Sequence, residues 1–316
     1  MRIDAISADI IDDVAALIAR EHQDSCDRGV PLPSRSLDVD ACGAALSGLL
    51  SEGFSGHVAI QGAQTVGVIC GRTIGGVGFV PAHGVAVDPH VLDASRVMAE
   101  LFAALAPVLI SDGAVRVTVD HVDHESMATA LFDLGFGRGG VFAVRGTDPM
   151  GDGPAAAAEI RVGTADDLDS IAALSHVEYL YRSAPPMYAL DQTRSFAETR
   201  AAHEQLLDDG AIHLLACRDG RDVGLLTIEH TSPAPRLCAA STPYIGPTAT
   251  VPEARGSGVG RALVNASLAW ARRHGHETIS VDFDSRNPLS RPFWFGNGFR
   301  PTGYRLRRVL NVGQSS

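Results

Sequence analysis

"RGSGVGRAL", Arg255 to Leu263, sets three glycines at alternate positions between an arginine and an apolar run. Glycine loses more backbone entropy on ordering than any other residue, so such a cluster needs a steric or binding reason. The surrounding stretch, "YIGPTATVPEARGSGVGRALVNASLAWARRHG" (Tyr244 to Gly275), reads as a strand, a glycine loop and an amphipathic helix. A helix N-terminus presents unpaired N–H groups and a partial positive charge, so anions dock there. Gly256, Gly258 and Gly260 would let a diphosphate approach the backbone, and Arg255 and Arg261 bracket the loop with further positive charge. The dinucleotide fingerprint fails on spacing, because its third place falls on Arg261 or Leu263. A tight strand-to-helix turn with no ligand is the plain alternative.

Working outward, the chain repeats itself. "SADIIDDVAAL" (Ser7 to Leu17) matches "TADDLDSIAAL" (Thr164 to Leu174) without a gap, each opening on a hydroxyl residue able to cap a helix. "HVAIQGAQTVGVI" (from His57) parallels "HLLACRDGRDVGLL" (from His213), both strand, turn and strand. "VRVTVDHVDHESMATALFDLGFGR" parallels "ISVDFDSRNPLSRPFWFGNGFRPT", each with an acidic strand end and a closing Gly-Phe. Three matches in one order argue for duplication. The halves are expected at 1–146 and 159–316, joined by a Gly/Pro/Ala-rich linker over 147–158. Each reads as an α/β (α+β) domain with a mixed, mainly antiparallel central sheet covered by helices. The long helices are expected at Asp93 to Leu109 and Gly258 to His274.

Composition bounds the rest. A chain of 316 residues with 45% hydrophobic content can build two cores. No apolar run looks long enough to span a membrane, and the acidic N-terminus lacks a secretory-signal layout. Five scattered cysteines without a C-x-x-C suit reduced thiols and a cytoplasmic location. A net charge of −11 without a basic run speaks against nucleic acid and tilts toward a cationic substrate. There is no lysine: all 26 basic residues are arginines, which excludes Walker-type phosphate binding and Schiff-base chemistry. "HVDHE" (His121 to Glu125) has no zinc-type spacing and reads as a surface turn; no metal is expected. The sequence leaves a homodimer open.

"TVPEARGSGVGRAL" resembles the acyl-CoA-binding motif of the GNAT superfamily of N-acetyltransferases, V-x-P-x-x-[QR]-G-x-G-x-[GA]. A second motif follows in order: Asn287, Ser290 and Gly298-Phe299 are similar to N-x-x-A-x-x-x-Y-x-x-x-G-F. The resemblance covers the C-terminal half from Ala158 to about Leu310. It implies two tandem GNAT-like domains and acetyl-CoA as co-substrate. Backbone groups of Arg255, Gly256, Ser257, Gly258, Val259, Gly260 and Arg261 would bind the pyrophosphate. Thr248, Ala249 and Thr250 would bind pantetheine and the thioester carbonyl, and Asn287 would contact the pantetheine arm. Thr250 stands where the family usually has Val. The N-terminal half resembles the same fold with its chemistry erased: "HVLDASRVM" (His90 to Met98) has no glycine and an Asp facing the phosphate position, with Leu92 or Ala94 blocking close approach.

The implied reaction is acyl transfer to a primary amine of a small molecule by direct attack on the thioester. Backbone N–H near Ala249 and Thr250 is the expected oxyanion donor. The family's thiolate-protonating Tyr falls here on Trp294, so water, Tyr244 or Tyr304 would have to substitute. The base candidates are carboxylates at strand ends: Glu229, Asp282 and Asp284. Taken singly, each reads more simply as a solvated or Arg-paired carboxylate than as the base. Tyr179, Tyr181, Met187 and Tyr188 would wall an acceptor pocket or pack between domains. A non-catalytic acyl-CoA binder and a protein or peptide acetyltransferase remain the competing functions.

Overall fold

The computed structural model describes residues 1–151, 158–189, 194–232 and 234–310. Most of the expected linker (152–157) and part of the expected acceptor segment (190–193) lie outside the described residues. The chain divides into two compact units, and the division departs from the sequence halves. Unit 1 is Met1–Phe142 together with Ala234–Ala239 and the chain from Pro301 on; unit 2 is Ala143–Pro233 and Ala240–Arg300. Contacts rather than chain order decide membership of these two units.

The elements in chain order are β1 (Arg2–Ala5), α1 (Ile11–Asp27), α2 (Val39–Ser51), β2 (Ser55–Gln61), β3 (Gln64–Ile74), β4 (Val77–Val80), β5 (Val85–Val87), α3 (Ala94–Ser111), β6 (Arg116–Val122), α4 (Glu125–Asp133) and β7 (Gly137–Gly146). Then come β8 (Glu159–Val162), α5 (Leu168–Ser183), α6 (Phe196–Asp208), β9 (Ile212–Arg218), β10 (Arg221–Glu229), β11 (Tyr244–Thr250), α7 (Val259–Arg273), β12 (Thr278–Asp284), α8 (Ser290–Gly296) and β13 (Arg300–Val309).

In unit 1 the strand order is β1-β2-β3-β4-β6-β13, with β5 also on β3. All neighbours are antiparallel except the β4–β6 pair. In unit 2 the order β8-β9-β10-β11-β12 is antiparallel except for β11–β12. The mixed, mainly antiparallel sheet flanked by helices is the architecture expected from the sequence. The last strand, β13, pairs with β6 from Gly303 opposite Val122 to Val309 opposite Arg116. Arg305 on β13 forks onto Asp120 at 2.8 Å per bond, a bidentate geometry that pins the register.

One steric detail repeats in both units and fixes how each long helix lies on its sheet. A Cβ at Gly67 would stand 2.5 Å from Val97 and 2.9 Å from Leu101 of α3. A Cβ at Gly224 would stand 2.9 Å from Val259 and 3.0 Å from Leu263 of α7. Each glycine lets a helix approach closely through a Val and the Leu one turn later. The backbone agrees: Asp88 N–H donates to Val66 at 2.9 Å as Val251 N–H donates to Val223 at 3.0 Å. The repeat read from sequence is thus a repeat of packing.

Two expectations need correction. His121 and His124 are not on a surface turn; they are 1% and 2% exposed. His124 Nε2 lies 3.0 Å from Asp24 and His121 Nδ1 lies 2.6 Å from the Val122 carbonyl, so tertiary packing absorbs a polar motif. Among the described residues no group of three metal-ligating side chains occurs. The second correction is that α3, with a mean hydropathy of 1.5, is long and apolar enough to cross a membrane by composition alone. Its Val97, Met98, Leu101, Phe102, Leu105 and Leu109 are buried in the core of unit 1.

Candidate functional site

The glycine loop lies between β11 and α7 in unit 2. Gly256 and Gly258 have φ of +72° and +88°, left-handed values that a Cβ makes costly. Gly258 precedes the first turn of α7, and its carbonyl accepts the first helical bond, from Ala262 N–H at 3.0 Å. Val259 is buried under Gly224, which anchors the helix start. Ser257 donates to the Ala254 carbonyl at 2.7 Å and accepts from Arg218 at 2.7 Å, holding the loop's shape from both sides. Arg261 donates to the Gly151 carbonyl at 2.9 Å. Gly260 has its own constraint, since a Cβ there would meet the Phe293 ring of α8 at 2.9 Å.

Beside this loop is a cavity of about 290 Å³. Its walls include Thr248, Ala249, Thr250, Arg255, Gly256, Gly260 and Asn287, the residues predicted to hold pantetheine and the near phosphates. The splay of strands β11 and β12 opens it. They pair only at Tyr244–Ser280 and Ile245–Val281, and β11 is bulged against β10 beyond Ile245. Arg255 donates from Nε to the Thr250 carbonyl at 3.2 Å and lies 5.2 Å from the Tyr181 ring centre. The Asn287 side-chain oxygen accepts from Leu289 and Ser290 N–H at 2.9 and 3.3 Å, closing the turn into α8. Trp294 and Phe293 complete the apolar wall. The indole of Trp294 is buried and carries no hydroxyl, so the place has no oxygen acid.

The predicted catalytic residues gather elsewhere. Glu229, Tyr244 and Asp282 cluster on adjacent strands: Glu229 is opposite Tyr244, and the Tyr244 hydroxyl donates to Asp282. None of the three is among the cavity's lining residues. Burial pushes the Glu229 carboxyl upward, with the Asp282 charge adding to it. Gly246 has no room for a Cβ because the Glu229 carboxylate covers it. Asp284 is taken up by Arg286, at 2.6 and 3.0 Å. Tyr304 belongs to unit 1, with its hydroxyl 3.4 Å from Asp123 and its ring 4.0 Å from the Arg138 guanidinium. Of the aromatic segment, Tyr181 lines the cavity, Met187 is buried and Tyr188 is 60% exposed.

Sequence reasoning does not single out Glu178, yet its side chain faces the cavity beside Thr248 and Ala249. Burial raises its carboxyl above the ordinary range; Asp284 pushes the same way and Arg182, at 3.7 Å, opposes. The one available signal is that Glu178 matches Glu21 when the repeat of the first helix is continued.

With the geometry in hand, the comparisons with known proteins are direct. Residues 175–299 match the family described as "Acetyltransferase (GNAT) family". In fold, the chain is similar to a GCN5-related N-acetyltransferase from Sphaerobacter thermophilus, with a TM-score of 0.62 and 16% identity over 98% of this chain and 95% of that one. It is similar to a tandem GNAT protein from the clavulanic acid biosynthesis pathway, with a TM-score of 0.55 and 16% identity over 100% and 99%. A GNAT-family acetyltransferase from Colwellia psychrerythraea follows, with a TM-score of 0.51 and 11% identity over 97% and 98%. No curated protein matches this chain by sequence. The family match thus covers residues 175–299, and the fold of the whole chain is that of tandem GNAT proteins.

Proposed function

We propose that this GNAT-family chain transfers an acyl group from acetyl-CoA to the primary amine of a small molecule, and that unit 2 alone carries the reaction. One observation supports this above the rest. The left-handed glycines before α7, flanked by Arg255 and Arg261, lead directly into a cavity walled by the strand residues 248–250. A diphosphate on the loop's N–H groups would leave the pantetheine arm running along β11 toward the splay. Backbone N–H near Ala249 and Thr250 would stabilise the oxyanion as the amine attacks. The leaving thiolate has an ordinary pKa of about 8.5, so it departs tolerably without the missing tyrosine.

Trp294 favours one competing reading, an acyl-CoA-binding protein without turnover, because it replaces the family's hydroxyl acid with an indole. Calorimetry of the full chain with acetyl-CoA, followed by a thiol-release assay over a panel of primary amines, separates the two. Binding with thiol release supports transfer; binding with no release on any amine supports the binder. No heat with acetyl-CoA overturns both.

A further inference from the structure

Each unit has a glutamate at the same place on its first helix, and the two glutamates live in opposite circumstances. In unit 1, Glu21 is 1% exposed and faces Arg236, which is 0% exposed. Arg236 donates to Glu21 at 2.8 Å, to the Ile18 carbonyl at 3.1 Å, and to the Ala82 and Val85 carbonyls at 2.7 and 2.9 Å. The other Glu21 oxygen accepts from Val87 N–H at 3.0 Å. A cation thus fills the corner between α1 and the start of β5 and is met by one carboxylate and three carbonyls.

The packing register carries this corner into unit 2. Ile18 and Glu21 correspond to Ser175 and Glu178. Val85 and Val87 pair with Ile69 and Gly67 as Thr248 and Thr250 pair with Leu226 and Gly224. In unit 2 the cation nearest Glu178 is Arg182, one turn along its own helix at 3.7 Å, Arg255 reaches the Thr250 carbonyl from the loop, and Glu178, Thr248 and Thr250 are walls of the acyl-CoA cavity. The Glu178 side chain remains 32% exposed there.

We propose that Glu178 seats the acceptor as an aliphatic ammonium, in the corner that Arg236 occupies in unit 1, and takes its proton before attack. This rests on the acyl-transfer reading above. An aliphatic amine resembles the lysine side chain, with a pKa of about 10.4, and is a cation at neutral pH. The carboxylate of Glu178 first pairs with it and then accepts one N–H proton. The freed lone pair forms the C–N bond, the C–S bond breaks, and coenzyme A leaves as thiolate. The second amine proton goes to that thiolate, and Glu178 returns its own to water. The raised carboxyl of Glu178 suits this exchange. The charged and titratable groups around it are Arg182 on its own helix, Asp284 at the end of β12, and Arg255 and Tyr181 in the cavity wall.

The test compares wild type, Glu178→Gln and Glu178→Asp in the full chain, with an aliphatic and an aromatic primary amine, reading thiol release and calorimetric acetyl-CoA affinity. Glu178→Gln should hold acetyl-CoA within about 2-fold while kcat/KM for the aliphatic amine falls about 100-fold or more at pH 7. The deficit should shrink toward pH 10, where solvent already removes the proton, and Glu178→Asp should recover part of the rate. Aromatic amines, neutral at pH 7, should lose far less. An unchanged rate and pH profile in Glu178→Gln, with acetyl-CoA still bound, overturns the role of Glu178 and leaves acyl transfer standing. Wild type that binds acetyl-CoA but releases no thiol with either amine overturns acyl transfer and the role of Glu178 with it.

Discussion

Two equivalent helices begin differently, and that difference separates the unit proposed to carry the reaction from the other. With Val97 and Val259 as counterparts under their sheet glycines, Ala94 and Arg96 stand where Gly256 and Gly258 stand. In unit 1 the chain is already helical at Ala94, and Asp93 caps it by accepting from Arg96 N–H at 2.9 Å. In unit 2 Gly256 and Gly258 are left-handed, and the helix begins only at Val259. Asp93 takes the Arg96 N–H with its carboxylate and the Val97 N–H with its carbonyl, and that carboxylate repels an anion as well. Unit 1 nevertheless has the larger cleft beside its helix, about 820 Å³ against about 290 Å³. That cleft is lined by Asp13, Asp88 and Asp93 as well as Arg20 and Arg96, with Arg20 paired to Asp88 at 3.0 Å. Donor chemistry distinguishes the sites; volume does not.

The contrast between the units is breakable at several points. Acid should act hardest. Burial, and then the Arg236 charge, hold His22 down to about 4, and burial also holds His121 to about 4. Both folded values lie below the unfolded value of 6.5, so the unfolded chain takes up protons first. Their stability contribution is complete above pH 6.5 and is lost as pH falls toward 4. Each should cost roughly 2–3 kcal/mol over that window, and unit 1, which also holds His83 at about 3, should unfold early in a pH titration followed by circular dichroism. Arg236→Met comes next. It leaves Glu21 buried without its cation and should cost about 3–5 kcal/mol in urea denaturation, with Glu21→Gln added to it recovering part.

Gly258→Asp should weaken acetyl-CoA by about 100-fold or more in calorimetry, since it adds a strained left-handed residue and a charge to the cradle. The packing repeat predicts matched effects at a smaller scale: Gly67→Ala and Gly224→Ala should each destabilise by about 1–3 kcal/mol through overpacking against the Val and Leu of the helix. A large effect at one glycine and none at the other would break the equivalence. Smallest is a stabilisation. The folded-state carboxyl of Glu178 is raised, so the unfolded chain ionises first as pH rises, and stability falls until the folded carboxyl has ionised too. Glu178→Gln should therefore raise the thermal midpoint slightly at pH 7 while it lowers turnover.

Much of this was legible in the residues. Glycines at 256, 258 and 260 after a strand and before an amphipathic helix have few other uses, and the structure sets two of them at positive φ. The repeat was legible because helix and strand periods survive when chemistry does not. The carboxylates were harder. Glu229 and Asp282 look like base candidates because they sit at strand ends, yet side-chain direction and the splay of β11 from β12 turn them away from the cavity wall. His121 and His124 read as surface residues because a dense polar motif usually is, and the packing of α1 beside them removed them from water.

The sequence by itself determined the strand–loop–helix cradle, the duplication and the mixed sheet, because these follow from local backbone preference and from the spacing of apolar side chains along one element. Only the tertiary structure decided which carboxylate meets the cavity, where Arg236 ends up, and that the last strand lies beside β6. Those outcomes depend on contacts between residues far apart in the chain, made where a buried charge must find its partner and a strand edge must find its neighbour.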